Sequence, residues 1–167
     1  AEVIESLAPV VLKRRELRSN SGGPGTWRGG LGQLTEFTRR GEGQWSVSSI
    51  ADRTHYAAPG LLGGKEGAPG EVSLKNGTKL HAKALMDLKA DDLVHVNLPG
   101  GGGYGDPMER DVEKVRWDVI EGYISPEEAE KNYGVAVRYT GKDDDLVKLP
   151  ENWIIDREKT NELRARG

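Results

Sequence analysis

Apolar and polar side chains alternate along the first part of the chain, and the alternation predicts strands. Val10 to Arg18 (VVLKRRELR) mixes β-branched residues with cations, the pattern of an edge or half-solvated strand. Gly32 to Arg40 (GQLTEFTRR) and Gln44 to Ile50 (QWSVSSI) read as an antiparallel pair turned by Gly41, Glu42 and Gly43. In Val72 to Leu80 (VSLKNGTKL), Asn76-Gly77 between alternating segments signals a hairpin whose type I′ turn takes φ > 0 at both residues. Leu85 to Leu88 predicts a short strand or turn, and Leu93 to Leu98 a further strand.

The period then changes. Val112, Val115, Val119 and Ile120 recur at helical spacing behind Asp111 as N-cap, with Gly122 just past the end. Ser125-Pro126-Glu127-Glu128 starts a second helix, combining an N-cap serine, proline at the first helical position and a capping-box glutamate, and Gly134 stops it. Val135 to Tyr139 returns as a strand, Gly141 to Asp145 is a charged turn, and Asp156 to Arg166 is a polar helix in a tail expected to be peripheral. The fold class is α+β. Residues 1–110 form a mostly antiparallel β body with glycine-rich loops, and residues 111–167 carry two or three short helices as an extension of the same domain.

Glycine interrupts this pattern three times, in SGGPGTWRGGLG (Ser21 to Gly32), in Ala51 to Gly70, and in LVHVNLPGGGGYGDP (Leu93 to Pro107). The first two have no helix or long strand in them. With 23 glycines, 35% apolar and 6% aromatic residues among 167, the chain is sized for one domain but lean in core material, which leaves burial for a partner to supply. A net charge of -3, spread along the chain, gives no polyelectrolyte signature, so nucleic acid is not expected as a partner. Cysteine is absent, which excludes disulfides and thiolate metal sites. No apolar run approaches the roughly 18 residues of a membrane span and no leader pattern is visible, so neither membrane nor export is indicated and a cytoplasmic location is expected. The start, AEVIESLAPVVL, has the look of a cut or processed end.

Candidate chemistry concentrates in the loops. Gly100, Gly102 and Gly105 satisfy G-x-G-x-x-G after a strand, but a Rossmann unit needs a second parallel strand ending in an acid, and here another helix intervenes. No P-loop sequence occurs, so the lysine and hydroxyl used for phosphate and magnesium are missing. His55, His81 and His95 are not spaced as metal ligands. His55 lies beside Asp52 and Arg53, where a small polar network is possible. Arg28 and Arg53 each carry a fork suited to a carboxylate or phosphate, or equally to loop carbonyls. Asp106 before Pro107 caps a turn, with Tyr104 beside it. No nucleophile elbow is present, and Ser21 before Gly22-Gly23 reads as turn chemistry.

Taken in order, these motifs resemble the C-terminal part of the hydantoinase B / 5-oxoprolinase family, whose relatives include subunits of acetone and acetophenone carboxylases. SGGPGTWRGGLG is similar to the family's D-S-G-G-x-G-x-x-R-G-G-L-G; ADR and GLLGGKEGAPG are similar to its next glycine segment; LPGGGGYGDP, ERD, DV, EG, ISPEEA and YGV follow in the family's order. Asn20 stands where the family usually has aspartate, Ala90-Asp91 replaces its glycine-containing pair, and DDDLVKLPENW resembles an insertion. Family members are several times longer, so the resemblance implies a fragment or split subunit, the metal-binding, substrate-facing region lying upstream of Ala1. It further implies ATP-dependent ring hydrolysis or carboxylation, shared with a larger hydantoinase B-type segment and a hydantoinase A-type ATP-binding subunit. This chain would then hold no cofactor. ATP and a divalent metal would belong to partner segments, and this chain would scaffold the assembly and shape its site. Arg28, Asp52, Arg53, His55, Tyr104 and Asp106 are the candidates to face substrate or an interface.

Overall fold

The structure is a computed structural model that describes residues 2–142 and 144–166; Ala1, Asp143 and Gly167, and with them the expectation for the first residue and part of the charged turn, lie outside these. Helix α1 (Glu2–Leu7) leads into β1 (Val10–Leu17), followed by β2 (Gln33–Arg39), β3 (Trp45–Ile50), β4 (Glu71–Leu74), β5 (Lys83–Leu88) and β6 (Leu93–Asn97). Then come a 3₁₀ turn (Pro107–Glu109), α2 (Val112–Ile120), α3 (Pro126–Tyr133), β7 (Val137–Tyr139), a second 3₁₀ turn (Pro150–Asn152), β8 (Trp153–Ile155) and α4 (Arg157–Arg166). All paired strands are antiparallel, and three of the four α-helices fall in the C-terminal part, so the fold is α+β. Helix α1 has no counterpart in the sequence expectation.

The strands lie where alternation places them, but the pairing differs. A four-stranded sheet runs β1-β2-β6-β4, and β3 pairs with β5 rather than with β2. Gly41 and Gly43 take φ of 82° and 104°, and the chain turning there leaves one sheet for another. The expected β2–β3 hairpin is therefore a crossover between two layers. Phe37 and Trp45 meet across it edge to face at 6.0 Å, an arrangement worth about 1 kcal/mol beyond area burial. Val72, Leu88 and Val94 form the buried centre of this first cluster, with Val47, Leu74 and Val96 against it.

The turn after β4 also differs. Gly77 N–H donates to Leu74 C=O and Leu74 N–H to Thr78 C=O, while only Gly77 of the Asn-Gly pair has positive φ (87°). This is a type I turn closed by a glycine bulge, the three-residue alternative to type I′. Its hairpin is short: past the turn Lys79 bridges Ser73 and Leu80 N–H donates to Val72 C=O.

The helices follow their caps. Asp111 accepts from Glu113 N–H and Lys114 N–H at the start of α2, and Ser125 Oγ accepts from Glu128 N–H at the start of α3. Gly134 ends α3 in the left-handed region at φ 60°. Their buried faces supply Val115, Val119, Ala129 and Tyr133 to a second cluster completed by Ile124, Val135 and Val137. The tail is not peripheral. Trp153 and Ile155 pack on this cluster, and Thr160 Oγ1, buried, accepts from Ala136 N–H. Arg164 donates to Tyr133 C=O and Arg110 C=O, tying α4 to the cluster's edge. Near the β7–β8 turn, Tyr139 OH and Lys142 N–H both donate to Asp145 Oδ2.

Asn20 joins the two halves. At φ 59° it sits in a left-handed conformation that asparagine tolerates; its N–H donates to Tyr123 C=O and its Oδ1 accepts from Ser125 N–H at 2.8 Å. The position needs an acceptor oxygen, which aspartate would also supply. Asn20→Ala should therefore cost about 1–2 kcal/mol in urea unfolding, combining a lost bond with a strained φ, while Asn20→Asp should stay within about 0.5 kcal/mol.

Candidate functional site: a glycine bundle and its buried ion pairs

The three glycine segments are not independent loops. Ala68 N–H donates to Ser21 C=O and Lys65 N–H to Pro24 C=O; Gly100 N–H donates to Ala68 C=O and Gly103 N–H to Lys65 C=O. The lateral bonds recur every third residue, the repeat of polyproline II, whereas a β-ladder repeats every second. Gly101 N–H to Gly30 C=O, Gly23 N–H to Gly101 C=O and Leu61 N–H to Gly103 C=O close the bundle around Gly100–Gly103. A methyl group on Gly29 would overlap Gly101 C=O, one on Gly102 would overlap Pro59 C=O, and one on Gly103 would overlap Pro24 C=O. Glycine is required here for close approach of backbones, as at the axis of collagen.

Two arginines fasten the bundle to α2. Asp118, buried on the α2 face between Val115 and Val119, lies with Oδ2 2.9 Å from Arg110 Nη2, 3.1 Å from Arg110 Nε and 3.4 Å from Arg28 Nε. Arg110 Nη1 donates to Thr26 C=O, and Arg28 Nη1 donates to Gly29 C=O while its guanidinium stacks 5.1 Å from the Tyr123 ring. Arg28 thus acts as a staple through a carbonyl and a carboxylate together. Sequence reading missed Asp118 and Arg110; the available signal was a carboxylate at i+3 of the apolar stripe Val115–Val119. Lys65 Nζ, donating to Asn132 Oδ1 at 2.6 Å, is a second missed tie, and Asn132 in turn donates to Glu128.

Tyr133 is fully buried in this region, and its hydroxyl has no hydrogen-bond partner among the described residues. Burial foremost, with Asp118 and Glu128 adding and Arg110 and Arg28 opposing, pushes its pKa from 10 up to about 12. The folded state holds the phenolic proton more tightly than the unfolded state. Stability is thus unaffected below about pH 10 and falls as pH rises towards 12. Tyr133→Phe should abolish that alkaline loss, and it should leave the protein equally stable or about 1 kcal/mol more stable at pH 7, as read by denaturant midpoints across pH.

The six predicted site residues fall in three places. Arg28 is in the buried ion-pair cluster. Tyr104 and Asp106 stand at one end of the bundle, where Tyr104 pairs with Trp27 and Leu61 through the backbone and the Asp106 carboxylate caps the 3₁₀ turn by accepting from Met108 N–H. Asp52, Arg53 and His55 lie together in an exposed loop beside a hollow of 260 Å³ that also touches Tyr56 and Lys83. There Lys83 Nζ sits 2.7 Å from Asp52 Oδ1 and holds that carboxyl below its usual range. Arg53 takes φ 54°, and its C=O accepts from Gly70 N–H.

Two other arrangements bear on chemistry. His95, with Nδ1 3.2 Å from Glu36 Oε1, stands opposite Ser73 in the β4–β6 register, placing acid, imidazole and hydroxyl across three neighbouring strands. Ser73 is buried, and no hydrogen bond joins it to the imidazole among the described residues. The glycine amides do not form a phosphate cradle, because Gly100, Gly101 and Gly103 N–H donate to protein carbonyls. Among the described residues no group of three or more His, Asp or Glu is placed to hold a metal ion, and no helix is long and apolar enough to cross a membrane.

A glycine bundle locked between an antiparallel sheet and short helices defines a structural class, and likeness to known proteins gives that class its family. The hydantoinase B/oxoprolinase family profile matches residues 1–107, and the chain belongs to that family. Over 98% of its length it is 36% identical to the putative B-type component of the D-/L-hydantoinase of Pseudomonas sp. (strain NS671), covering 26% of that protein. The ATP-dependent caprolactamase of Pseudomonas jessenii superposes with a TM-score of 0.74 at 26% identity, over 98% of this chain and 28% of its own. A nucleotide-free acetone carboxylase superposes with a TM-score of 0.76 at 23% identity, over 99% of this chain and 25% of its own, a likeness of fold. The chain therefore spans about a quarter of the length of each of these three proteins.

Proposed function

We propose that this chain is the C-terminal portion of a B-type component of an ATP-dependent cyclic-amide hydrolase, where it scaffolds the complex and shapes a site completed by other segments. One observation carries this reading: nearly the whole chain matches a B-type hydantoinase component, yet it accounts for only 26% of that protein. The internal chemistry supports it. The amides of Gly100, Gly101 and Gly103 are spent on backbone bonds and Arg28 and Arg110 on Asp118, so these polar groups stabilise the fold rather than await a substrate. ATP and a divalent metal would be held by partner segments, ATP by a hydantoinase A-type subunit, in a cytoplasmic complex. Asp52, Arg53 and His55, in their exposed loop, are the best placed of the predicted residues to face a shared site.

The test is phosphate release by the complete complex with cyclic amides as substrates. Turnover by this chain alone would overturn the scaffold reading. Ketones with bicarbonate form the second arm, the alternative activity that the family resemblance leaves open. A wholly non-catalytic module would tolerate Arg53→Ala in both assembly and turnover; loss of turnover with assembly intact would place the loop at the site.

A further inference from the structure

Trp27, Leu61 and Tyr104 are held side by side by backbone pairing, Tyr104 in the middle. They are large apolar side chains, yet Trp27 is 62% exposed, Leu61 63% and Tyr104 49%. Beside them Leu62, 75% exposed, takes φ of 49°. A leucine in the left-handed region is strained, and such strain persists where the surroundings or a bound partner hold it. Here the exposed side chain meets little of this chain. A hollow of 360 Å³ is lined by Trp27, Leu62 and Tyr104 together with Asp106 and Glu109. No cationic side chain lines it, although the Trp27 ring already carries the Lys114 ammonium 5.1 Å from its centroid.

Two aromatic side chains and two carboxylates lining one hollow suit a planar cation that stacks and donates hydrogen bonds at once, which is the chemistry of a guanidinium. We infer that this hollow is a docking socket for an arginine side chain presented by the remainder of the B-type polypeptide. The occupant rests on the reading given under Proposed function; the cation preference rests on the hollow alone. Trp27 and Tyr104 serve as the anchors and Glu109 as the charge that selects arginine over an apolar side chain. The rigid glycine bundle beneath fixes their spacing, so binding costs little ordering.

Two measurements test it. The 167-residue chain is titrated with Nα-acetyl-arginine amide and with its neutral isostere Nα-acetyl-citrulline amide, following tryptophan fluorescence and using Trp27→Phe to assign the signal. Saturable change with the arginine compound alone, weakened about three- to fivefold in Glu109→Gln, is expected. Equal responses to both compounds, or no saturable response, would overturn the socket. In the complete complex, p-benzoylphenylalanine replacing Leu62 should crosslink to an arginine-containing peptide outside these 167 residues, whereas the same label replacing the exposed Leu85 on β5 should not. Crosslinks confined to these residues, or equal capture from both positions, would overturn the docking. Failure of the amide-hydrolysis assay alone would leave both readouts standing, because neither measures turnover.

Discussion

Replacing Gly100 by alanine is expected to abolish the folded state near room temperature. The added methyl group would fall on the carbonyl oxygen of Ser21 and press on Gly22 N, and both are backbone atoms with no rotamer to change. The same Ser21 carbonyl is fixed by its bond from Ala68 N–H, and Gly100 N–H is committed to Ala68 C=O. Overpacking costs about 1–3 kcal/mol where side chains can shift. With backbone as the obstacle the cost should exceed about 4 kcal/mol, a large part of the roughly 5–15 kcal/mol total of a domain. Gly30 is the internal control. It lies in the neighbouring segment of the same bundle, is exposed, and has no atom within 4 Å of its methyl position. Gly30→Ala should change stability by less than about 1 kcal/mol, with any change towards higher stability because alanine narrows the unfolded ensemble. Thermal unfolding followed by circular dichroism compares the two. Equal losses would mean that these glycines serve flexibility rather than close approach.

Asp118→Asn should be the second most damaging change. The amide keeps the shape of the carboxylate and removes its charge, leaving buried Arg110 and half-buried Arg28 side by side without a counter-ion. Breaking a buried pair in this way costs about 3–5 kcal/mol, far more than an exposed pair, because the remaining charge stays desolvated. Urea midpoints would measure it. Arg110→Met combined with Asp118→Asn should recover part of the loss, since one of the two stranded cations is then gone. An additive double variant would show that Arg110 and Asp118 do not act as a unit. Loss of the ion pairs should also loosen the link between Gly29, Thr26 and α2, because Arg28 and Arg110 each hold a loop carbonyl as well as the carboxylate.

Local signals in the sequence were readable wherever one residue or its neighbours determine the outcome. The caps at Asp111 and Ser125 and the stop at Gly134 are of this kind, since each is settled within a turn of helix. Strand positions were readable for the same reason. Partners were not. Trp45 to Ile50 alternates equally well against β2 or β5, and only the distant residues Lys83 to Leu88 decide. The Asn76-Gly77 pair marked its turn, but the choice between type I′ and a type I turn with a bulge depends on how Leu74 meets Thr78. The glycine segments were recognised as neither helix nor sheet, while their order was hidden, because polyproline II has no bonds within a segment and becomes visible only when its neighbours are placed. The carbonyl staple at Arg28 and the turn cap at Asp106 were readable from local chemistry. Asp118, Arg110 and Lys65 act on residues remote in sequence and gave only the weak signal of a polar group on an apolar face.

The bundle also imposes an order on synthesis. Ser21 and Pro24 leave the ribosome before the residues that bind them: their carbonyls wait for Ala68 and Lys65, which wait in turn for Gly100 and Gly103. Contacts between such distant residues form slowly and only after loops have closed. The carboxylate that neutralises Arg28 emerges later still, on α2. A nascent chain shorter than about Asp118 therefore carries open glycine backbone and an unpaired cation, the state in which binding by a chaperone or by an already folded neighbouring segment has most to gain.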